Sequence, residues 1–518
     1  RQWNDKNSAF VSGVPYAKPP VGDLRFKKPE PFLNFTRDST TFNGNYFRSA
    51  CVQFSSVVNK HVFSNESDDC LYLNIYKPKN GSSLAVMIWI HGGGFTSGSA
   101  DQFNMEYLAA FGNVIVITFN YGVGIFGFFS TMDENAIGNY DQRLVFQWVK
   151  KYIHSFGGDP NRISIFGQSA GAVSCSLHAM AEVNRNLFQR VIAQSGSAMS
   201  VLYNMSVDAR LNAIYIAEKV GCKISKEDYK NKGKVADMVE CECGLQFFGS
   251  LDFLNGITMW DGLSFMHIIQ NSINDLNKSQ SLSETLENWL NQLLFESIFK
   301  RKFSKEIQQL VRNRYTNWDD PLSSERVREQ VLQFLGDVEY NVPAVRAARE
   351  HFKHEYDTGS GNYLYHFVAE PPVHVMETPS WIEGATYADD LLFLVEMDNF
   401  NNYTDWQRQL SDSIMTYWAN FAKPGSPNQV NSISKWVPYN DSQETYIEFS
   451  QDMGPHYLKK HLYSGAINFW LKVFPDLIKA FDNMETAGNQ SGTSASMRKG
   501  KMDIMLLSIV SRFLYITF

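Results

Sequence analysis

The run Gly167-Gln168-Ser169-Ala170-Gly171 constrains this chain more than any other segment. It sits between the apolar run Ile163–Phe166 and a helical pattern that continues after Gly171 as VSCSLHAM. A serine on so tight a strand-to-helix turn leaves no room for a β-carbon at either flank, and glycine removes the clash. The turn exposes the serine Oγ and sets the following backbone N–H groups at a helix N-terminus. There they can stabilise an oxyanion.

The surrounding pattern fits that geometry. Val86–Ile90 (VMIWI) and Val114–Phe119 (VIVITF) are short, continuous apolar runs rich in β-branched residues, as buried strands should be. Tyr140–Tyr152 carries helical spacing through Leu144, Phe146, Val149 and Tyr152, and Val191–Ala193 is another short apolar run. Strand–helix alternation predicts an α/β fold with a central, mostly parallel sheet flanked by helices. The second half is richer in helical patterns, including Leu282–Lys300 and Arg326–Leu335. No repeat and no Pro/Gly/Ser linker divides the body, so residues 1–480 read as one large domain.

Residues 481–518 differ. AGNQSGTSASMRKGK is small, polar and basic, and IMLLSIVSRFLYITF follows it. Small residues, a polar spacer and an apolar tail are the layout of a cleaved lipid-anchor signal. Arg512 interrupts the tail, and an amphipathic helix that docks or forms a homodimer is the other reading.

Bulk properties exclude some classes. Hydrophobic residues make up 44% of 518, ample for a packed core. A net charge of −7, a pI near 5.9 and the lack of a long basic block argue against nucleic acid as a partner. The six cysteines show no CxxC pair, so no metal is expected, and no cofactor is called for. The short loops Cys51 to Cys70, and Cys222 to Cys241 or Cys243, can close as disulfides in an oxidising compartment. Glycosylation triplets at Asn34, Asn65, Asn80, Asn204, Asn277, Asn402, Asn440 and Asn489 also favour a secreted or extracellular protein. Arg1 opens a polar stretch, which reads as a signal peptide already removed or an incomplete N-terminus.

A second glycine run, His91-Gly92-Gly93-Gly94-Phe95, follows the VMIWI strand directly. Consecutive glycines let backbone amides point inward and approach a ligand closely, as the second half of an oxyanion hole requires. His91 itself reads as a loop-packing residue. With these come longer strings: Gly13–Pro31 (GVPYAKPPVGDLRFKKPEP), Ser67–Pro78 (SDDCLYLNIYKP), Phe156–Ser174 (FGGDPNRISIFGQSAGAVS) and Ile414–Asn428 (IMTYWANFAKPGSPN). Over nearly its whole length the chain resembles the type-B carboxylesterase/cholinesterase family. That resemblance implies the α/β-hydrolase fold and hydrolysis of small-molecule carboxylic esters through an acyl-enzyme.

Carried onto this sequence, the resemblance makes Ser169 the nucleophile and Gly93, Gly94 and Ala170 the oxyanion donors. The family's acidic residue lies in G-x-x-x-x-E-G, and GITMWDG puts Asp261 there, one methylene shorter. The family histidine lies in a string like W-x-G-A-x-H-x-D-D-L. This chain reads WIEGATYADDL, so Tyr387 holds the position. A substitute base would have to come from His374, His456 or elsewhere. Other departures are Gly122, where the family's turn has an arginine in a buried salt bridge, and a shortened segment between Cys241 and Asp261. Cholinesterases place a tryptophan between the counterparts of Cys51 and Cys70 to bind choline; here the matching position counts to Lys60.

A serine hydroxyl needs a nearby base to become a competent nucleophile, and a tyrosine with pKa near ~10 is the wrong one. Two readings follow. One is an ester hydrolase, impaired by Tyr387; the other is a non-catalytic relative that binds a hydrophobic ligand or serves in adhesion.

Overall fold

The computed structural model describes residues 8–33, 44, 46–53, 65–129, 137–200, 242–266, 305–320, 323–355, 359–395, 403–428, 435–452 and 457–480. The strands among them are β1 (Ser8–Pro15), β2 (Ala50–Cys51), β3 (Glu66–Ser67), β4 (Tyr72–Pro78), β5 (Leu84–Ile90), β6 (Ile115–Phe119), β7 (Gly158–Gln168), β8 (Arg190–Gln194), β9 (Asp252–Thr258), β10 (Asn362–Phe367), β11 (Thr445–Phe449) and β12 (Leu458–Lys460). The helices are α1 (Glu106–Gly112), α2 (Gly124–Phe128), α3 (Ile137–Tyr152), α4 (Ala170–Met180), α5 (Glu242–Gly249), α6 (Lys305–Tyr315), α7 (Ser324–Gly336), α8 (Val342–His354), α9 (Asp405–Ala422) and α10 (Ser464–Asn468).

Ten strands form one sheet in the order β1-β4-β6-β5-β7-β8-β9-β10-β11-β12. From β6 to β11 every neighbour is parallel; β4, β1 and β12 add antiparallel edges. The parallel core is the part the apolar runs predict, because strands covered on both faces have no polar side to alternate with. On β5, Val86, Ile88 and Ile90 pack with Val145 of α3 and Ala172 and Cys175 of α4. Met87 and Trp89 point the other way, to Leu108 of α1 and Leu410, Ile414 and Trp418 of α9. The strand period of two thus divides one apolar string between two cores.

A third cluster gathers α7, α8 and the π-helical turn Asp337–Asn341 between them around Ile257, Leu364 and Trp470. Helix α9 begins with a capping box, in which Thr404 and Gln407 each bond the other's backbone and so satisfy N–H groups the helix leaves open. Cys51 and Cys70 are bonded, joining the short β2 segment to the start of β4. Residues 481–518, the helical pattern Leu282–Lys300, and Cys222 and Cys241 lie outside the described residues.

Candidate active site

Four loops at the carboxyl ends of parallel strands converge on one place, where open α/β sheets bind their ligands. They follow β5, β7, β9 and β10. Ser169 links β7 to α4 with φ 61° and ψ −128°, a left-handed conformation that costs a non-glycine residue. The elbow closes only because its flanks are bare: a β-carbon on Gly171 would lie 2.0 Å from the carbonyl oxygen of Ile90. The Ser169 N–H donates to the Gln194 carbonyl at 3.0 Å, which anchors the turn to β8.

After β5, the carbonyl of Gly93 accepts the N–H groups of Thr96 and Ser97 at 3.0 and 3.1 Å. Gly93 has φ 107°, and a β-carbon there would lie 2.1 Å from the Ser97 carbonyl oxygen. Among the described residues, no hydrogen bond uses the N–H of Gly93, Gly94 or Ala170. Ala170 opens α4, and first-turn N–H groups have no partner inside a helix. These amides are therefore available to an anionic or carbonyl oxygen. His91 is buried, gives Nδ1 to the Gly92 carbonyl at 2.9 Å and stacks on Tyr121 with ring centres 4.2 Å apart. Burial pushes its pKa down to about 4, so it packs as a neutral ring.

Asp261 follows β9 on a short turn and is buried. Its carboxyl accepts Ser195 Oγ at 2.9 Å, Thr258 N at 3.0 Å and Thr258 Oγ1 at 2.5 Å. Burial nonetheless raises its pKa to about 8, against the pull of those donors and with Asp390 nearby adding to the rise. The Trp260 N–H donates to the Ala385 carbonyl at 3.1 Å, which ties this turn to the loop after β10.

That loop carries Tyr387. Its side chain stands beside the polar groups of Ser169, Tyr340 and Gln168, and burial, with the charge of Asp261, pushes its pKa up to about 12. Its ring lies 5.5 Å from that of Tyr340, whose hydroxyl is 2.9 Å from Ser264 Oγ. The structure thus brings Ser169 and Tyr387 together with Asp261 close by. His374 is elsewhere engaged: its Nδ1 is 2.7 Å from Asp389. His456 and Lys60 lie outside the described residues.

Sequence reasoning missed Ser195, Thr258 and Tyr340. Ser195 closely follows the apolar run Val191–Ala193, and Thr258 lies inside the quoted string GITMWDG, where a polar residue beside the acid is a usable signal. Tyr340 has none, because it reaches the site through a π-helical turn that periodicity does not reveal. Among the described residues no group of three His, Cys, Asp or Glu side chains is placed to hold a metal ion.

Known sequences place this arrangement. The sequence profile described as Carboxylesterase family matches residues 2–247 and 246–470. Carboxylesterase 5A of Homo sapiens is 31% identical over 92% of this chain and 86% of its own length. Liver carboxylesterase 1F of Rattus norvegicus is 30% identical over 85% of each. Bile salt-activated lipase of Homo sapiens is 29% identical over 92% of this chain and 68% of its own length. With its elbow serine, its open amides and this extent of match, the chain belongs to the carboxylesterase family and has the α/β-hydrolase fold.

Proposed function

We propose that this ester-hydrolase scaffold is impaired in acyl transfer because Tyr387 stands where Ser169 needs a base. The observation that carries the reading is that the side chain standing beside Ser169 is a tyrosine whose pKa is pushed up to about 12. Near neutral pH only about one such hydroxyl in 10⁵ is ionised, so it cannot take the serine proton at a useful rate. Asp261, raised to about 8, carries a proton for much of the time and is bonded to Ser195 and Thr258. Among the described residues no histidine is hydrogen-bonded to Ser169.

In this reading Ser169 is the nucleophile, Gly93, Gly94 and Ala170 hold the oxyanion, and Asp261 is the acid left without a histidine to orient. A small carboxylic ester would bind with its carbonyl on the open amides, but attack would start from a neutral hydroxyl. Those same amides favour the second reading, a protein that binds such a ligand without turnover, because binding needs the donors and not the base.

The Cys51–Cys70 bond supports a secreted or cell-surface setting. So do the exposed glycosylation triplets at Asn65 and Asn80. No described helix is long and apolar enough to cross a membrane. The tail 481–518 is read as a lipid anchor or a dimerisation helix. Fluorophosphonate labelling, run beside hydrolysis of a short-chain nitrophenyl ester, tests the central claim. Rapid labelling and turnover that vanish in Ser169→Ala would sink it; slow or absent labelling is expected.

A further inference from the structure

A second built site lies away from Ser169, where segment 18–30 crosses helices α2 and α3. Its floor is Asp141, 3% exposed, on the inner face of α3. Oδ2 accepts the Gly122 N–H at 2.9 Å, and among the described residues no cation forms an ion pair with this carboxylate. Burial pushes its pKa up to about 7. Asp141 lines a cleft whose walls include Leu24, Leu71, Phe126 and Ile137. Gly122 lines the same cleft, and a β-carbon there would lie 3.1 Å from the Gly127 Cα and 3.2 Å from Asp141 Oδ2.

Among the described residues, the groups facing Asp141 from neighbouring elements do not neutralise it. Tyr16 donates its hydroxyl to the Asn120 carbonyl at 2.7 Å. Lining the same cleft, Lys18 pairs with Glu30 at 2.7 Å, Arg25 pairs with Asp68, and Lys28 lies 4.8 Å over the Tyr140 ring. Lys27 is exposed, where water and salt screen it. A carboxylate buried beneath apolar walls gains most from a cation that brings its own apolar cover, since the pair is then desolvated and hydrogen-bonded together.

We propose that this cleft binds a hydrophobic monocation, an alkyl or aryl guanidine or primary amine, whose head pairs with Asp141. The head can belong to a free small molecule or to an arginine side chain presented by another protein. The pairing is independent of ester turnover, because neither Asp141 nor Gly122 touches Ser169 or the open amides.

Thermal unfolding of the full chain near about pH 8, where Asp141 is ionised, tests this with n-butylguanidinium and acetyl-arginine amide against sodium chloride of equal ionic strength. Saturating n-butylguanidinium should raise the midpoint by about 2–4 °C in the wild type. The rise should vanish in Asp141→Asn and in Gly122→Arg, which fills the space with its own guanidinium. A response to both probes supports a side-chain ligand, and a response to n-butylguanidinium alone a free small molecule. An equal rise in Asp141→Asn, or none in the wild type, overturns the proposal. Should Asp141→Asn not fold, undiminished binding by Gly122→Arg overturns it.

Discussion

His374 Nδ1 lies 2.7 Å from Asp389 Oδ2, and the same oxygen accepts the N–H of Thr386 at 2.6 Å and its Oγ1 at 2.8 Å. Asp389 Oδ1 takes the Val375 N–H at 2.9 Å. The histidine nearest in sequence before Tyr387 therefore braces the turn that carries Tyr387. Asp389→Ala should cost about 3–5 kcal/mol, because it strands four donors around a fully buried position. His374→Ala, losing one partly exposed donor, should cost about 1–2 kcal/mol. Urea unfolding of the two variants compares them, and equal losses would contradict this division.

Tyr387→His is expected to return a base to a turn already held in place. Nitrophenyl butyrate turnover should rise at least about 100-fold over the parent chain, the lower range for positioned acid–base catalysis. Its rate should climb through the histidine range near pH ~6.5. No gain would mean that Asp261, with its shorter arm, does not orient the ring.

Ser169→Gly separates stability from chemistry. Ser169 holds φ 61°, and glycine adopts that conformation without steric strain. The variant should lose all fluorophosphonate labelling yet unfold at a free energy about 1 kcal/mol higher. A loss of stability would show that the contacts of the Ser169 side chain outweigh the backbone strain.

Stability should peak in mildly acidic solution. Asp261 and Asp141 are raised from 3.8 to about 8 and about 7 by burial, so the folded chain keeps protons that the unfolded chain has lost. Their contribution is whole below pH 3.8 and is lost as pH rises through those values. His91 and His351 are depressed from 6.5 to about 4, and His178 to about 3. Their contribution is whole above pH 6.5 and lost as pH falls through the folded values. Between pH 6.5 and 8 the buried carboxylates and His374, raised above 6.5 by Asp389, all lose their contribution, so the melting temperature should fall, and Asp261→Asn should flatten part of the fall. A flat wild-type profile there would contradict the burial argument.

The parallel centre of the sheet was legible because β5, β6, β7 and β8 are continuous apolar runs bounded by glycine turns. Edge strands β1 and β12 were not, since Ser8–Pro15 is only half buried and Leu458–Lys460 is too short to show a period. Ser169, Gly93 and Gly94 could be found because tight turns demand glycine at fixed spacing. The acid's surroundings could not: Ser195 and Tyr340 come from separate strings and meet Asp261 and Tyr387 only after folding. Likewise, Asp141 reads as one polar residue on a helix until its burial under Gly122 is seen.

Strand β12 has a consequence for the molecule among its copies. A ten-stranded sheet ends somewhere, and an open edge invites another chain to continue it. Here the last strand is three residues long and bears the exposed Lys459 and Lys460, with Lys459 3.8 Å from Glu448. A second copy aligning there would set ammonium groups against each other over too few backbone bonds to compensate. An edge this short and this charged offers a neighbouring copy little to extend.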